Sequence, residues 1–418
     1  MLNPFYGLLL EILHTHPAPT TRVRLETLSP DDWHRLARHA IQCRLAFEFN
    51  AYLKNNEGLR ARMSERDLRR LNHTVRSTLM QNLRRQAQLR KMRAACESAG
   101  VPFLLMKGLW LAETIYRDLK ARGSCDIDLL LRPQDMPRFT QLAQAQGFNI
   151  PPNCSDIRDL ATANNEFKLI HPVSGAFFDI HWSLTHPIDE TAVDEDPFWQ
   201  RSDIVTLAGQ PCRSLCLEDH LLLLCFHAAI HHRFAYVGPR ALLDIAQLIT
   251  RPPRPIDWSD VLARAHELGW SRGVWLMLDL VREHLGVLPP PAVLDGLRPL
   301  DADEQDVRQA ALEAMFLHQQ SKQMLGHTVE HLAKEKTARG RLLLLINRIF
   351  PPRRHIANYF TVAIDHPGIY WLYVKRWGII IVQMTPRALQ LWTNDPRRTA
   401  ELKRSTTITK WLRYEKAS

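Results

Sequence analysis

Arg122-Gly123-Ser124-Cys125-Asp126-Ile127-Asp128-Leu129-Leu130-Leu131, preceded by Met106-Lys107-Gly108, is the stretch whose reading decides the fold. Arg122 to Cys125 has the composition of a turn, and Asp126 to Leu131 that of a short strand ending in an apolar run. Successive side chains of a strand face opposite sides. Asp126 and Asp128 therefore share one face, while Ile127, Leu129 and Leu131 point into an apolar layer. Two carboxylates side by side repel each other, and a divalent cation that prefers oxygen ligands relieves the repulsion. Mg²⁺, or Mn²⁺ in its place, is the expected metal.

Upstream of this stretch, Val101 to Met106 is an apolar run after a glycine and reads as a buried strand. Leu109, Ala112, Ile115, Tyr116 and Leu119 then recur at helical spacing, so strand gives way to helix at Lys107-Gly108. A glycine there lets a phosphate approach the backbone, and a helix N-terminus offers free N–H groups. Lys107 adds a mobile positive charge for a triphosphate. Arg122 and Ser124 are candidates to hold phosphate oxygens or a departing pyrophosphate.

Downstream, Gln134 to Gln146 reads as a helix stopped by Gly147. Glu166 to Ile170 and Ala176 to Trp182 read as strands joined by the turn Pro172-Val173-Ser174-Gly175. Asp179 lies among Phe177, Phe178 and Ile180, and an acid in such a setting needs a compensating partner. A metal shared with Asp126 and Asp128 supplies one, making Asp179 the third candidate ligand. His181 shares the face of Asp179 and is a candidate to tune it. Strand, helix, strand, helix and hairpin together indicate a small α/β unit.

Helical patterns flank this unit. Phe5, Leu8, Leu9, Ile12 and Leu13 recur at helical spacing, and so do Trp33, Leu36, Ala37, Ala40 and Ile41. A basic helix carrying Arg84, Arg85, Arg90, Lys91 and Arg93 ends at Gly100, which suits a left-handed stop. Leu221 to His232 and Ala241 to Ile249 are again helical. His227 and His231 stand four apart, but Ala228 occupies the place of the glutamate that the metalloprotease pattern requires. They read as residues of a cleft wall, with Asp244 placed to orient one of them. The tail from Arg341 alternates basic, aromatic and apolar residues. The expected boundaries are a helical region over 1–99, an α/β core over 100–210, a helical domain completing the cleft over 211–340, and a basic aromatic tail over 341–418.

Composition narrows the class of partner. The 54 Lys and Arg outnumber the 44 Asp and Glu among 418 residues, a net charge of +10 that favours polyanions: nucleoside triphosphates, RNA or an anionic membrane surface. Hydrophobic residues at 45% exclude a disordered chain. Seven dispersed cysteines with no C-x-x-C pair argue against a disulfide framework and a cysteine-rich zinc site. No secretory leader is read, and no apolar run approaches the roughly 20 residues of a spanning helix. A cytoplasmic location is expected.

The same residues resemble the nucleotidyltransferase superfamily of DNA polymerase beta. In that superfamily a glycine-containing motif opens a helix, and an Asp-x-Asp strand with a third carboxylate binds two Mg²⁺ ions. More narrowly, the chain resembles an uncharacterised bacterial nucleotidyltransferase family with Lys-Gly, an arginine, Asp-Ile-Asp-Leu-Leu and a later acid-x-His-Trp. Here these read Lys107-Gly108, Arg122, Asp126 to Leu130, and Asp179-Ile180-His181-Trp182. Lys107-Gly108-Leu109 replaces the superfamily's usual Gly-Ser. The resemblance implies an α+β fold with a small mixed sheet and helical flanks. It implies transfer of a nucleoside monophosphate from a nucleoside triphosphate (ATP among the candidates) to an acceptor hydroxyl, with Asp126, Asp128 and Asp179 as metal ligands. The acceptor stays open among peptide, small molecule, protein and RNA. A toxin-like enzyme that modifies tRNA and a non-catalytic nucleotide-binding regulator or scaffold are the two alternatives.

Overall fold

The computed structural model describes residues 3–150, 165–173, 175–185, 193–235, 237–299, 304–316, 349–351, 353–360, 362, 365–379 and 396–412. Among the described residues, six short strands form one mixed sheet in the order β3-β4-β2-β1-β6-β5. They are β1 (Leu104–Met106), β2 (Ile127–Leu130), β3 (Glu166–Ile170), β4 (Phe177–His181), β5 (Asp203–Leu207) and β6 (Gln210–Ser214). β1 and β2 run antiparallel, and β4 lies parallel to β2 on its other side, with Asp128 level with Asp179. β3 folds back antiparallel on β4 and pairs Glu166 with His181 and Lys168 with Asp179. Helices pack around this sheet, and the fold is α+β with helical flanks, as the sequence reading has it.

The β5–β6 hairpin is absent from that reading. Its turn is Ala208-Gly209, with φ of 49° and 74°. Two-residue hairpins need positive φ at both central positions, which Asn-Gly or Asp-Gly usually signals and alanine does not. Ala208 is held there by a hydrogen bond from its amide to Glu113 Oε2 (2.7 Å), a contact between segments far apart in sequence. The expected turn over 172–175 includes Ser174, which lies outside the described residues.

The longest helix, Glu65–Ala99, starts at Ser64, whose hydroxyl accepts from Asp67 N, and stops at Gly100 with φ of 66°. Its sequence is polar overall, and it is tied down by Leu71, Asn82, Leu89, Met92 and Cys96, which are buried against the core. The segment after β1 departs from a regular helix. Three α-helical residues, Gly108–Trp110, pass into a π-helical turn, Leu111–Ile115. The helix Leu217–Phe226 passes likewise into a π-turn, His227–His231. Wide turns of this kind cluster at functional sites, and the second of them lines a pocket through His227 and His231. The C-terminal helix Pro396–Leu412 returns to pack on Glu304–Met315, where Arg404 Nη1 donates to Glu313 Oε2 (3.0 Å). The apolar runs over 342–346 and 380–382 lie outside the described residues; among the described ones, no helix is long and apolar enough to cross a membrane.

Candidate active site

The register of the sheet sets the site. With Asp128 on β2 level with Asp179 on β4, both carboxylates emerge on one face, and His181 follows two residues along. One ligand atom from each of Asp128, Asp179 and His181 lies within 4.8 Å of the others, and all three residues are buried. Asp126 stands just before β2, half-buried, outside this close group. It still feels its neighbour: burial, then the charge of Asp128, raises its pKa above the ordinary carboxyl value.

Lys107 faces this group from the end of β1, its Nζ 3.1 Å from Asp128 Oδ1. Its backbone has φ of 52° and ψ of −120°, a region that favours glycine. Strain of this kind is retained where surrounding contacts over-determine it. Burial works against the charged lysine, but Asp128 and Glu166 outweigh it, and the pKa is raised. Burial works against a charged Asp128 as well, yet the Lys107 ammonium prevails and holds the carboxyl well below the usual range.

Glu166 and Lys168 belong to the same face, and the sequence reading passes over both. Glu166 Oε2 lies 3.3 Å from His181 Nδ1, and Lys168 Nζ lies 3.8 Å from Asp179 Oδ2. The signal was available: Glu166-Phe167-Lys168-Leu169 alternates polar and apolar, so its polar members share a face. What it lacked was the register against β4.

Two polar atoms in this setting have no hydrogen-bond partner among the described residues: Asp179 Oδ1 and His181 Nε2. His181 Nε2 is 3.4 Å from Asp128 Oδ1 but lacks hydrogen-bond geometry. Buried polar atoms are costly when orphaned, and a cation between these three side chains would satisfy both. The donor set of two carboxylates and an imidazole fits a divalent metal ion.

Asp179 offers a direct check. Burial, despite the nearby His181, lifts its pKa from 3.8 to about 6. A carboxyl raised in the folded state stabilises the fold at low pH, and that contribution is lost as pH rises from about 4 through about 6. Asp179→Asn cannot ionise. In chelator at neutral pH it should be more stable than wild type, on the order of 2–3 kcal/mol, with most of the difference gone at pH 4. Chemical denaturation at both pH values reads this, and an Asn variant less stable than wild type at neutral pH would contradict it.

Arg122 and Ser124 point into the protein. Arg122 Nη2 and Nε donate to Asp244 Oδ2 at 2.9 and 3.2 Å, and Nη1 donates to Gly123 O at 2.5 Å. Asp244 also accepts from the Tyr116 hydroxyl (2.8 Å) and lies 3.5 Å from Arg240 Nε, so it serves this cluster rather than a histidine. Arg240 in turn donates to Glu48 Oε1 (2.8 Å) and to Ala121 O. Ser124 Oγ donates to Asp126 O (2.5 Å). Gly108 lies against it: a Cβ on Gly108 would meet Ser124 Oγ at 2.1 Å. Close approach to a side chain, as well as any phosphate, therefore requires glycine here.

The loop carrying these residues is pinned from the other side by the Glu65–Ala99 helix. Asn82 Nδ2 donates to Leu119 O (2.8 Å) and Arg122 O (2.7 Å), and Ser124 N donates to Asn82 Oδ1 (3.3 Å). Arg85 Nη2 donates to Cys125 O (3.0 Å). An open pocket begins beside the carboxylates, lined among others by Lys107, Glu166, His181, Phe226, His227 and His231. The π-turn gathers its histidines: the His227 ring lies 5.6 Å from that of His231 and 4.5 Å from that of His232. Burial, then Lys107, pushes the pKa of His227 well below the ordinary value, so it is a neutral wall residue.

A strand pair, a carboxylate group able to hold a cation and a facing lysine are what phosphate chemistry asks of a sheet face. Comparison with known proteins agrees. A family described as uncharacterised nucleotidyltransferase matches residues 29–286, which contain every site residue named above. Neither a curated protein nor a solved structure matches the chain. Because the match spans more than half of the sequence, the chain belongs to this uncharacterised nucleotidyltransferase family.

Proposed function

We propose that the protein transfers a nucleoside monophosphate from a nucleoside triphosphate to an acceptor hydroxyl, and that it requires a divalent cation, Mg²⁺ or Mn²⁺. The observation that carries this reading is the buried Asp128, Asp179 and His181 group with its orphaned Asp179 Oδ1 and His181 Nε2. Its occurrence in a nucleotidyltransferase family supports the same reading, as does the resemblance to the DNA polymerase beta superfamily.

In this reading Asp128 and Asp179 hold the metal, and Asp126 joins them from the mouth of the site. A bound divalent cation supplies charge neutralisation on the phosphate oxygens. Lys107 gives a fixed positive charge for the polyphosphate, His181 would join the carboxylates at the metal through Nε2, and Glu166, beside its Nδ1, orients the imidazole. The acceptor oxygen forms a bond to the α-phosphorus, the α–β bridging P–O bond breaks, and pyrophosphate leaves with that electron pair. The hydroxyl proton passes to Asp179. Arg122 and Ser124 contribute by shaping the loop before Asp126.

Calorimetric titration of the full chain with each nucleoside triphosphate, with Mg²⁺ and with chelator, tests this. Mg²⁺-dependent binding is expected, followed by pyrophosphate release once an acceptor is supplied. Binding with equal affinity in chelator would sink the metal-dependent reading, and Mg²⁺-dependent binding with no turnover on any acceptor would point to a nucleotide-binding regulator.

A further inference from the structure

The Glu65–Ala99 helix carries charge that the site does not use. Arg66, Arg70, Arg76, Arg84, Arg90 and Lys91 are all exposed. None has an ion-pair partner among the described residues, whereas Arg69 and Arg93 on the same helix pair with Glu65 and Glu97. At 100° per residue, Arg70, Arg76, Arg84 and Lys91 fall within about 80° of Arg66, and Arg90 lies at the border of the same face. Buried Leu71, Asn82 and Leu89 occupy the opposite side. The result is a cationic stripe about 38 Å long. Towards its C-terminal end Arg84 adjoins Arg85, which bonds to Cys125 O beside Asp126.

We propose that this stripe is the docking surface for an RNA that presents the acceptor hydroxyl; the acceptor role rests on the nucleotidyl-transfer reading above, the docking does not. A row of cations with no ion-pair partner among the described residues suits the phosphates of a nucleic acid. Five of the six are arginines, whose planar forks suit phosphate oxygens. A membrane surface fits poorly, because the stripe's large apolar side chains are only Met80 and Leu83, with no aromatic anchor. A B-DNA major groove fits poorly as well. It admits a protruding helix, and this one is held against the core through Leu71, Asn82, Leu89, Met92 and Cys96. RNA is held largely through its shape and backbone, by contacts across a shallow surface.

The test is fluorescence anisotropy of the full chain with a labelled hairpin RNA bearing a single-stranded 3′ end, without nucleotide. A DNA duplex of the same length and phosphatidylserine vesicles serve as comparison probes. RNA binding should weaken by roughly 10²-fold between about 50 and about 200 mM salt. The surface variant Arg70→Glu/Arg84→Glu/Lys91→Glu should weaken it by a further factor on the order of 10², while its Mg²⁺-nucleotide binding by calorimetry matches wild type. Failure of nucleotide binding in wild type would reject the transfer reading and leave the docking result standing. RNA binding that the triple variant leaves intact, equal or tighter binding to the DNA duplex, or binding to the vesicles alone would overturn the proposal.

Discussion

Replacing Asp128 by alanine should weaken Mg²⁺-dependent nucleotide binding by roughly 10³-fold, beyond the roughly 10- to 100-fold that loss of an outer-shell partner costs. Three consequences converge at this residue. The candidate metal group loses the member nearest both Lys107 and His181. Lys107 loses the carboxylate 3.1 Å from its ammonium and stays largely buried, with only Glu166 and Asp179 to offset its desolvation. Asp126 loses the neighbour that raises its pKa. Calorimetry with Mg²⁺ and nucleoside triphosphate reads the first effect, and circular dichroism shows that the variant folds. Wild-type affinity in a folded Asp128→Ala protein would mean that the carboxylate pair is structural.

Asp244→Ala should destabilise the fold by about 3–5 kcal/mol, the usual penalty for removing one partner from a buried charge cluster. Asp244 is the acceptor shared by Arg122 and Tyr116, and Arg240 lies beside it. Without it two guanidinium groups face each other across a buried space, with only Glu48 remaining as a counter-charge. Asp244→Asn keeps an acceptor for Tyr116 and should lose less. The double variant Arg122→Met/Asp244→Leu should recover part of the loss, because apolar replacement of a buried pair is often neutral. Chemical denaturation midpoints distinguish these. A loss below about 1 kcal/mol for the alanine variant would mean that water reaches the cluster and screens it.

The sequence carried the short-range part of this architecture. Alternation over Asp126 to Leu131 is a local pattern, and so are the strands Glu166 to Ile170 and Phe177 to His181 and the stop at Gly100. Each depends on residues within a few positions. What it could not carry was register and distance. Glu166 and Lys168 join the site only because β3 pairs with β4 at one offset rather than another. The partner of Arg122 is Asp244, 122 positions away, and periodicity says nothing about such a pair. The π-turn at His227–His231 was read as ordinary helix, because a widened turn has the same composition as a regular one and is set by how the chain meets Ala228 and Phe234. Ala208 at a positive φ hid the β5–β6 turn for a similar reason: tertiary contact, here with Glu113, overrides local preference.

The clamp on the loop over 119–125 has a consequence for how this protein can be divided. The candidate carboxylates sit on the sheet or directly beside it, which suggests that the sheet region could be excised as a minimal unit. Yet the carbonyls of Leu119, Arg122 and Cys125 are satisfied by Asn82 and Arg85 from one flank, and that of Ala121 by Arg240 from the other. Cutting before residue 100 would strip three carbonyls of their donors at the segment that aims Asp126 and Asp128. The flanking helices are thus the jaws of a vice rather than appendages, and insertions or fusions will be tolerated at the outer ends of the chain before they are tolerated at either junction with the sheet.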